Sequence, residues 1–346
     1  MRNFMISGAL ALTAGLAMPG KAAAAENILF NCFFPPRHYV CTDFLPELGQ
    51  RIETATEGRV KLRTPPKTLA APPDQMDAVA NGVMDGAVQF NGFLRAQVPG
   101  IQFSMLPFVG NADAEATSVA LWETYQKHFA DKEEYGETVL LALFALNGGD
   151  IFSVTDEPIV AVDDLAKRKI WSVPGVTANV VAETGSSVVS GPAVQMLEVV
   201  SKGVVDGYVG MPQSEVTQYK LTGYTKSATI FDEKVFQATF SFFVSRDKWE
   251  AISEEDRTAI HAALGSDFSR WMGAFQDDIF ERAHQEMGEE GVTFIEGSDA
   301  FLADLKTLGA PQIEAWKAQV GEMGVDGQAV LDDYRKAHDA ALTAGQ

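Results

Sequence analysis

Cysteine and histidine are scarce in this chain, with two cysteines and five histidines among 346 residues. His38, His128, His261, His284 and His338 form no His-Glu-x-x-His motif and none neighbours a cysteine pair, so the sequence gives a zinc site no support. Cys-x-x-Cys is absent, which removes thioredoxin-like redox chemistry. Also missing are Gly-x-Gly-x-x-Gly opening a helix, Gly-x-x-x-x-Gly-Lys-Ser/Thr and Gly-x-Ser-x-Gly, so neither a nucleotide cradle nor a serine-hydrolase turn is offered. Basic residues are few: 27 Lys and Arg face 47 Asp and Glu, a net charge of −20 that nucleic acid and anionic lipid surfaces would repel. In so acidic a chain any two carboxylates can be nominated as an acid and base pair, so their number does not argue for catalysis. No catalytic residue, metal or cofactor is expected.

Long apolar runs are missing too, except at the N-terminus. There Arg2 precedes an apolar stretch from Phe4 to Met18, and Pro19-Gly20 leads into Ala22-Ala23-Ala24-Ala25. This is the pattern of a secretory signal peptide cut near Ala24 or Ala25, and the stretch is short for the roughly 20 residues that span a bilayer. Leu29-Phe30-Asn31-Cys32 lacks the small residues usual before a lipidated cysteine, so no stable membrane anchor is expected. Cys32 and Cys41 then sit nine apart in an exported chain, either as a disulfide or as two buried thiols.

The chain does repeat itself. Asn81-Gly82-Val83-Met84-Asp85-Gly86 returns as Lys202-Gly203-Val204-Val205-Asp206-Gly207, each copy after a helical periodicity and before a short apolar run. The first Gly of each sits where a helix ends on a left-handed residue, and Asp-Gly turns the chain into a strand. Two such units suggest two α/β lobes on one plan, with a ligand cleft between them.

Strand-like and helix-like stretches alternate along the rest, the pattern of an α/β protein. Strands are expected at 27–32, 59–63, 84–89, 139–145, 169–173, 188–189 and 204–209, and helices at 43–54, 74–81, 114–128, 177–183 and 194–202. Asn147-Gly148-Gly149 is a candidate crossing between lobes, and Val235 to Ser245 reads as a long strand returning to the first lobe. Ser253-Glu254-Glu255-Asp256 reads as an N-cap and acidic first turn of a helix running to about Met287, with helical residues again near the C-terminus.

Several phrases, in order, resemble one family. These are Glu53-Thr54-Ala55-Thr56-Glu57-Gly58-Arg59-Val60, Val79 to Asp85, Leu106-Pro107-Phe108, Pro158-Ile159, Asp163-Asp164-Leu165, Lys169-Ile170 and Gly203-Val204-Val205-Asp206-Gly207. Together they resemble the solute-binding proteins of tripartite ATP-independent periplasmic (TRAP) transporters, of the dicarboxylate-binding type, over nearly all the mature chain. The resemblance implies a two-lobed periplasmic solute-binding fold with crossing strands and a long connecting helix. The expected division is a signal peptide at 1–25, lobe I at 26–148, the lobe II core at 149–235, and a crossing strand, long helix and C-terminal helices at 236–346. It further implies a periplasmic protein that captures a small organic acid by cleft closure and delivers it to membrane permease subunits, performing no reaction itself. An exported enzyme or a sensor on the same scaffold remains as an alternative.

This chain departs from the family pattern at the ligand. Where relatives carry an Arg after Lys-Ile to clamp a carboxylate, Trp171 stands; a second Arg position holds Asp150-Ile151, and a frequent Asn is replaced near Gly210, with Met211 and Gln213 beside it. An indole stacks on a ring or faces a cation, so an aromatic, zwitterionic or quaternary-amine solute stands beside the simple acid. Trp171, Phe90, Phe93 and Tyr208 are the candidate walls, with Asn91 near them. Arg37 and Arg95 are candidate anion donors, and Asp150 a candidate partner for a cationic group. Asp206 and Gly207 read as turn residues.

Overall fold

A computed structural model describes residues 25–110 and 113–344, so the expected signal peptide lies outside the described residues but for its last position. The first lobe opens with β1 (Glu26–Asn31), α1 (Leu45–Ala55), β2 (Val60–Arg63), α2 (Gln75–Ala80), β3 (Gly86–Phe90), α3 (Ala114–His128) and β4 (Thr138–Ala145). The chain crosses into β5 (Asp150–Ser153), α4 (Val162–Ala166), β6 (Lys169–Ser172), α5 (Val176–Glu183), β7 (Ser187–Ser190), α6 (Met196–Ser201), β8 (Gly207–Met211), α7 (Gln213–Gln218) and β9 (Ser227–Ile230). It then returns through β10 (Thr239–Ser245) to α8 (Arg246–Ala251), α9 (Glu254–Glu289), β11 (Thr293–Glu296), α10 (Asp299–Glu322) and α11 (Gly327–Ala344).

Two sheets result. The first has the order β2-β1-β3-β10-β4, and the second β11-β9-β5-β8-β6-β7. In the first sheet β1 pairs in parallel with β2 and β3, while β10 runs antiparallel between β3 and β4. The strand expected to return to the first lobe therefore does so, as an interior strand of its sheet. Its ordered pairing starts at Thr239, because residues 236–238 form one of two crossing segments. Leu146 N–H donates to Ala238 O (2.9 Å) and Gly149 N–H to Phe236 O (2.9 Å), so the two crossings run side by side as a hydrogen-bonded ribbon. A Cβ on Gly149 would lie 2.4 Å from the Gly210 carbonyl carbon, which is why the break between β4 and β5 has no side chain there.

The repeated phrase has one structural job in both sheets. Gly82 and Gly203 adopt φ of 72° and 64°. Gly82 N–H donates to Val79 O (3.0 Å) and Val83 N–H to Ala78 O (2.9 Å); Gly203 to Val200 (2.9 Å) and Val204 to Val199 (3.1 Å) repeat the pair. These are Schellman ends, which satisfy the last helical carbonyls. The aspartate that follows then grips the neighbouring strand: Asp85 Oδ2 accepts from Leu29 N–H (2.7 Å) and Asp206 Oδ2 from Lys169 N–H (2.9 Å). Asp206 is a turn residue, as the sequence reading has it, while Gly207 is already the first residue of β8.

Local chemistry starts the helices. Asp113, Ser245, Ser253 and Ser298 accept from backbone N–H groups of Ala116, Lys248, Asp256 and Phe301. α9 is broken at Gly265 (φ 37°, ψ −148°) and packs on α1, α3 and β4 of the first lobe and on α7 of the second. Phe44, Phe144, Phe242 and Phe268 are fully buried between the first sheet and α9, each contributing about 1.5–3 kcal/mol of transfer free energy. Strands β5, β9 and β11 have no counterpart among the expected strands. β8 begins at Gly207 rather than Val204 because the Schellman end consumes Val204. Among the described residues no helix is long and apolar enough to cross a membrane.

Candidate functional site

Two aromatic rows face each other across the crossing ribbon. In the first sheet the register sets Phe90, Phe240 and Phe144 side by side, with ring centroids 5.4 Å and 5.0 Å apart. In the second sheet Phe152, Tyr208, Trp171 and Val189 share one level. Between the sheets lies a narrow cavity with an open mouth. Its first-lobe wall is Phe33, Phe34, Phe90, Phe93 and Phe240, with Pro72 at the rim. Trp171, Val173, Met211 and Tyr219 form the opposite wall, Gly191, Pro192 and Ala193 complete it, and Leu146 and Ala238 of the crossing ribbon close one side.

Among the described residues lining this cavity there is no arginine or lysine, and Glu215 is the one carboxylate. Glu215 is 3% exposed, in the first turn of α7. Tyr39 Oη donates to its Oε1, and His38 Nε2 lies 3.2 Å from its Oε2. Tyr219, which caps α7 one turn on from Glu215, is a second phenol near the same carboxylate. Burial first, and the negative charge of Glu215 second, push the Tyr39 and Tyr219 hydroxyls well above the usual phenol range, so both stay protonated. His38 stacks on Phe34 with centroids 4.3 Å apart, which ties the polar cluster to the ring wall. His38 and Tyr39 belong to the first lobe and Glu215 to the second, so the cluster bridges the cleft.

The Cys32–Cys41 disulfide closes the segment that carries Phe33, Phe34, His38 and Tyr39. Sequence reasoning passed over all four of these residues, and Glu215, Tyr219 and Phe240 as well. The signals were present: Phe-Phe-Pro-Pro directly after a strand, and Glu215 and Tyr219 four apart on a helix, hence on one face.

Of the expected site residues, the structure brings Trp171, Phe90, Phe93 and Met211 to the cavity. The others are placed elsewhere. Tyr208 shares the face of Trp171 but lies one strand nearer the sheet centre, where its ring stacks on Phe152 at 4.6 Å and its hydroxyl meets Thr225 Oγ1 at 2.6 Å. Asn91 is buried beneath Phe90, donating to Thr239 Oγ1 (2.9 Å) and accepting from Ser241 Oγ (2.5 Å). Arg37 is exposed on an outer groove beside Thr42 and Arg282, and Arg95 is exposed beside a smaller cavity with Gln102 and Trp316. Asp150 is buried and already neutralised: Lys234 Nζ lies 3.1 Å from its Oδ1, and Gln213 Nε2 donates to Oδ2 at 2.8 Å. Gln213 Oε1 in turn meets His284 Nδ1 at 2.8 Å. A buried carboxylate needs such a partner, and this network fixes the second-lobe end of the crossing instead of facing a ligand.

Among the described residues no cluster of His, Cys, Asp and Glu could hold a metal ion.

The model of the bacterial extracellular solute-binding protein family 7 matches residues 30–319. The chain is 37% identical over 320 residues to a protein of Comamonas testosteroni named outer membrane transporter protein TsaT, covering 92% of this chain and 94% of that one. A TRAP periplasmic solute-binding protein of Bordetella bronchiseptica, solved with (R)- and (S)-mandelate, superposes with a TM-score of 0.85 at 27% identity, covering 91% of this chain and 99% of the other. A TRAP solute-binding protein of Rhodoferax ferrireducens, solved with copurified benzoate, has a TM-score of 0.82 at 23% identity over 92% and 99% of the two chains, a likeness of fold.

Proposed function

The chain belongs to bacterial extracellular solute-binding protein family 7, whose members serve TRAP transporters, and from that membership we propose that its solute is a small molecule with an aromatic ring and one acidic group. The observation that carries the ring is the cavity wall, with rings from both lobes; the acidic group is taken from the likeness to the mandelate-binding Bordetella protein. A simple diacid would bring two charges into such a wall with no cation to meet either, whereas a ring stacks on Trp171 and packs edge-on to the phenylalanines. The mandelate bound by the Bordetella protein is a ring bearing one carboxylate. In this reading the protein is exported and periplasmic. Its lobes, residues 26–148 and 149–235, close about the crossing ribbon, and the closed form is what the permease subunits engage. It releases its ligand chemically unchanged.

Calorimetric titration of the refolded, ligand-stripped mature chain tests this. Benzoate or mandelate should give saturable heat and succinate none; binding of succinate alone would contradict it. A second reading has Glu215 in its favour, since a carboxylate among aromatic rings suits a quaternary ammonium. Choline and glycine betaine in the same titration decide between the two, and recovery of a modified ligand would favour an enzyme.

A further inference from the structure

We propose that Glu215 sets the class of ring ligand this cavity accepts: one carrying a hydrogen-bond donor such as a hydroxyl on or beside the ring, and no second acidic group. The inference rests on the ring-acid reading above and concerns the same cavity.

The argument is one of acceptor capacity. An ionised carboxylate offers about four acceptor positions. Tyr39 occupies one on Oε1, and His38 Nε2 lies 3.2 Å from Oε2. These two partners leave acceptor capacity unused, so an open position remains. Glu215 lines the cavity, so the open position can be met from the cavity side, where nearly every other walling side chain is carbon. The carboxylate is also held in place. His38 and Tyr39 come from the cross-linked first-lobe segment and Glu215 from the second lobe, and the three residues are between 2% and 4% exposed.

A fixed, nearly dry carboxylate discriminates in two directions. It strengthens the binding of a ligand hydroxyl by roughly tenfold, the usual worth of a hydrogen bond to a charged acceptor. It opposes a ligand carboxylate turned towards it by on the order of a hundredfold or more, because no cation of the lining offsets the like charge, so a bound ring acid points its one carboxylate away from Glu215 and a second on the near side is rejected.

The test is calorimetric titration of the ligand-stripped mature chain with benzoate, 3-hydroxybenzoate and benzene-1,3-dicarboxylate. The wild type should bind 3-hydroxybenzoate several-fold more tightly than benzoate and the dicarboxylate at least tenfold more weakly. Glu215→Gln should improve dicarboxylate binding at least tenfold and shrink the hydroxyl advantage. Tyr39→Phe, which leaves the carboxylate in place, should still reject the dicarboxylate. If Glu215→Gln does not fold, the wild-type ratios decide alone. Equal wild-type binding of the three overturns the inference and leaves the ring-acid reading standing. Selectivity that survives Glu215→Gln also overturns it. Failure of all three to bind removes the ring-acid reading and this inference with it.

Discussion

Replacing both members of the Cys32–Cys41 disulfide with alanine should weaken the fold and the ligand site together. The bond closes a loop with a sequence separation of nine, and loop-closure entropy for a ring of that size is worth about 2.7 kcal/mol at room temperature. Near the melting point a domain of this length carries an unfolding entropy of roughly 0.7 kcal/mol per degree, so the melting temperature should fall by about 4 °C. The segment inside the loop supplies Phe33 and Phe34 to the cavity and His38 and Tyr39 to Glu215. Freed of the cross-link, part of its ordering must be supplied by ligand binding, and affinity for benzoate should drop about tenfold. Scanning calorimetry and titration of wild type and Cys32→Ala/Cys41→Ala read both effects. An unchanged melting temperature would refute the loop-entropy reasoning. A lowered one with unchanged affinity would show that packing alone holds the aromatic segment in place.

Three further outcomes follow. Trp171→Ala, which removes a ring 2% exposed on the cavity wall, should weaken the best ring ligand at least tenfold by titration, and an unchanged affinity would take the indole out of the site. Asp277 of α9 accepts from Ala114 and Glu115 at the start of α3 (2.9 and 3.0 Å) and from Asn147 Nδ2 in the crossing segment (2.5 Å), and burial raises its carboxyl to about 6. A raised carboxyl holds its proton in the folded state after the unfolded chain has lost it, so its contribution to stability falls as pH rises from about 4 to about 6, by ~1–2 kcal/mol after allowing for solvent screening. The difference between the melting curves of wild type and Asp277→Asn should show that slope, and parallel curves would refute it. Asp206→Ala should cost about 1 kcal/mol in urea unfolding through the lost bond to Lys169 N–H, with Asp85→Ala matching it; a cost for one alone would mean that the two turns are not equivalent.

Much of the architecture was legible because it follows local rules. The twin glycine turns, the Ser253 cap and the span of α3 each rest on residues a few positions apart, and these read correctly. The four-residue strands β5, β9 and β11 were not legible, since their pairing is set by the sheet and not by their own pattern. At the site, Trp171 was conspicuous because it stands where a charge was expected. Tyr208 was misplaced because alternation fixes a face of the sheet and not how close to the cavity a residue on that face lies. Asp150 was read without Lys234, 84 positions away, and Glu215 without His38 and Tyr39, 177 and 176 positions away. Such partners are joined only by the crossing of the chain between lobes.

The most direct test of the account is the calorimetric comparison of benzoate with succinate on the ligand-stripped mature chain. The aromatic cavity predicts saturable, one-to-one binding of benzoate and no detectable heat from succinate. Tight binding of succinate with none of benzoate would contradict it, and would mean that a cation outside the cavity wall described above reaches the ligand.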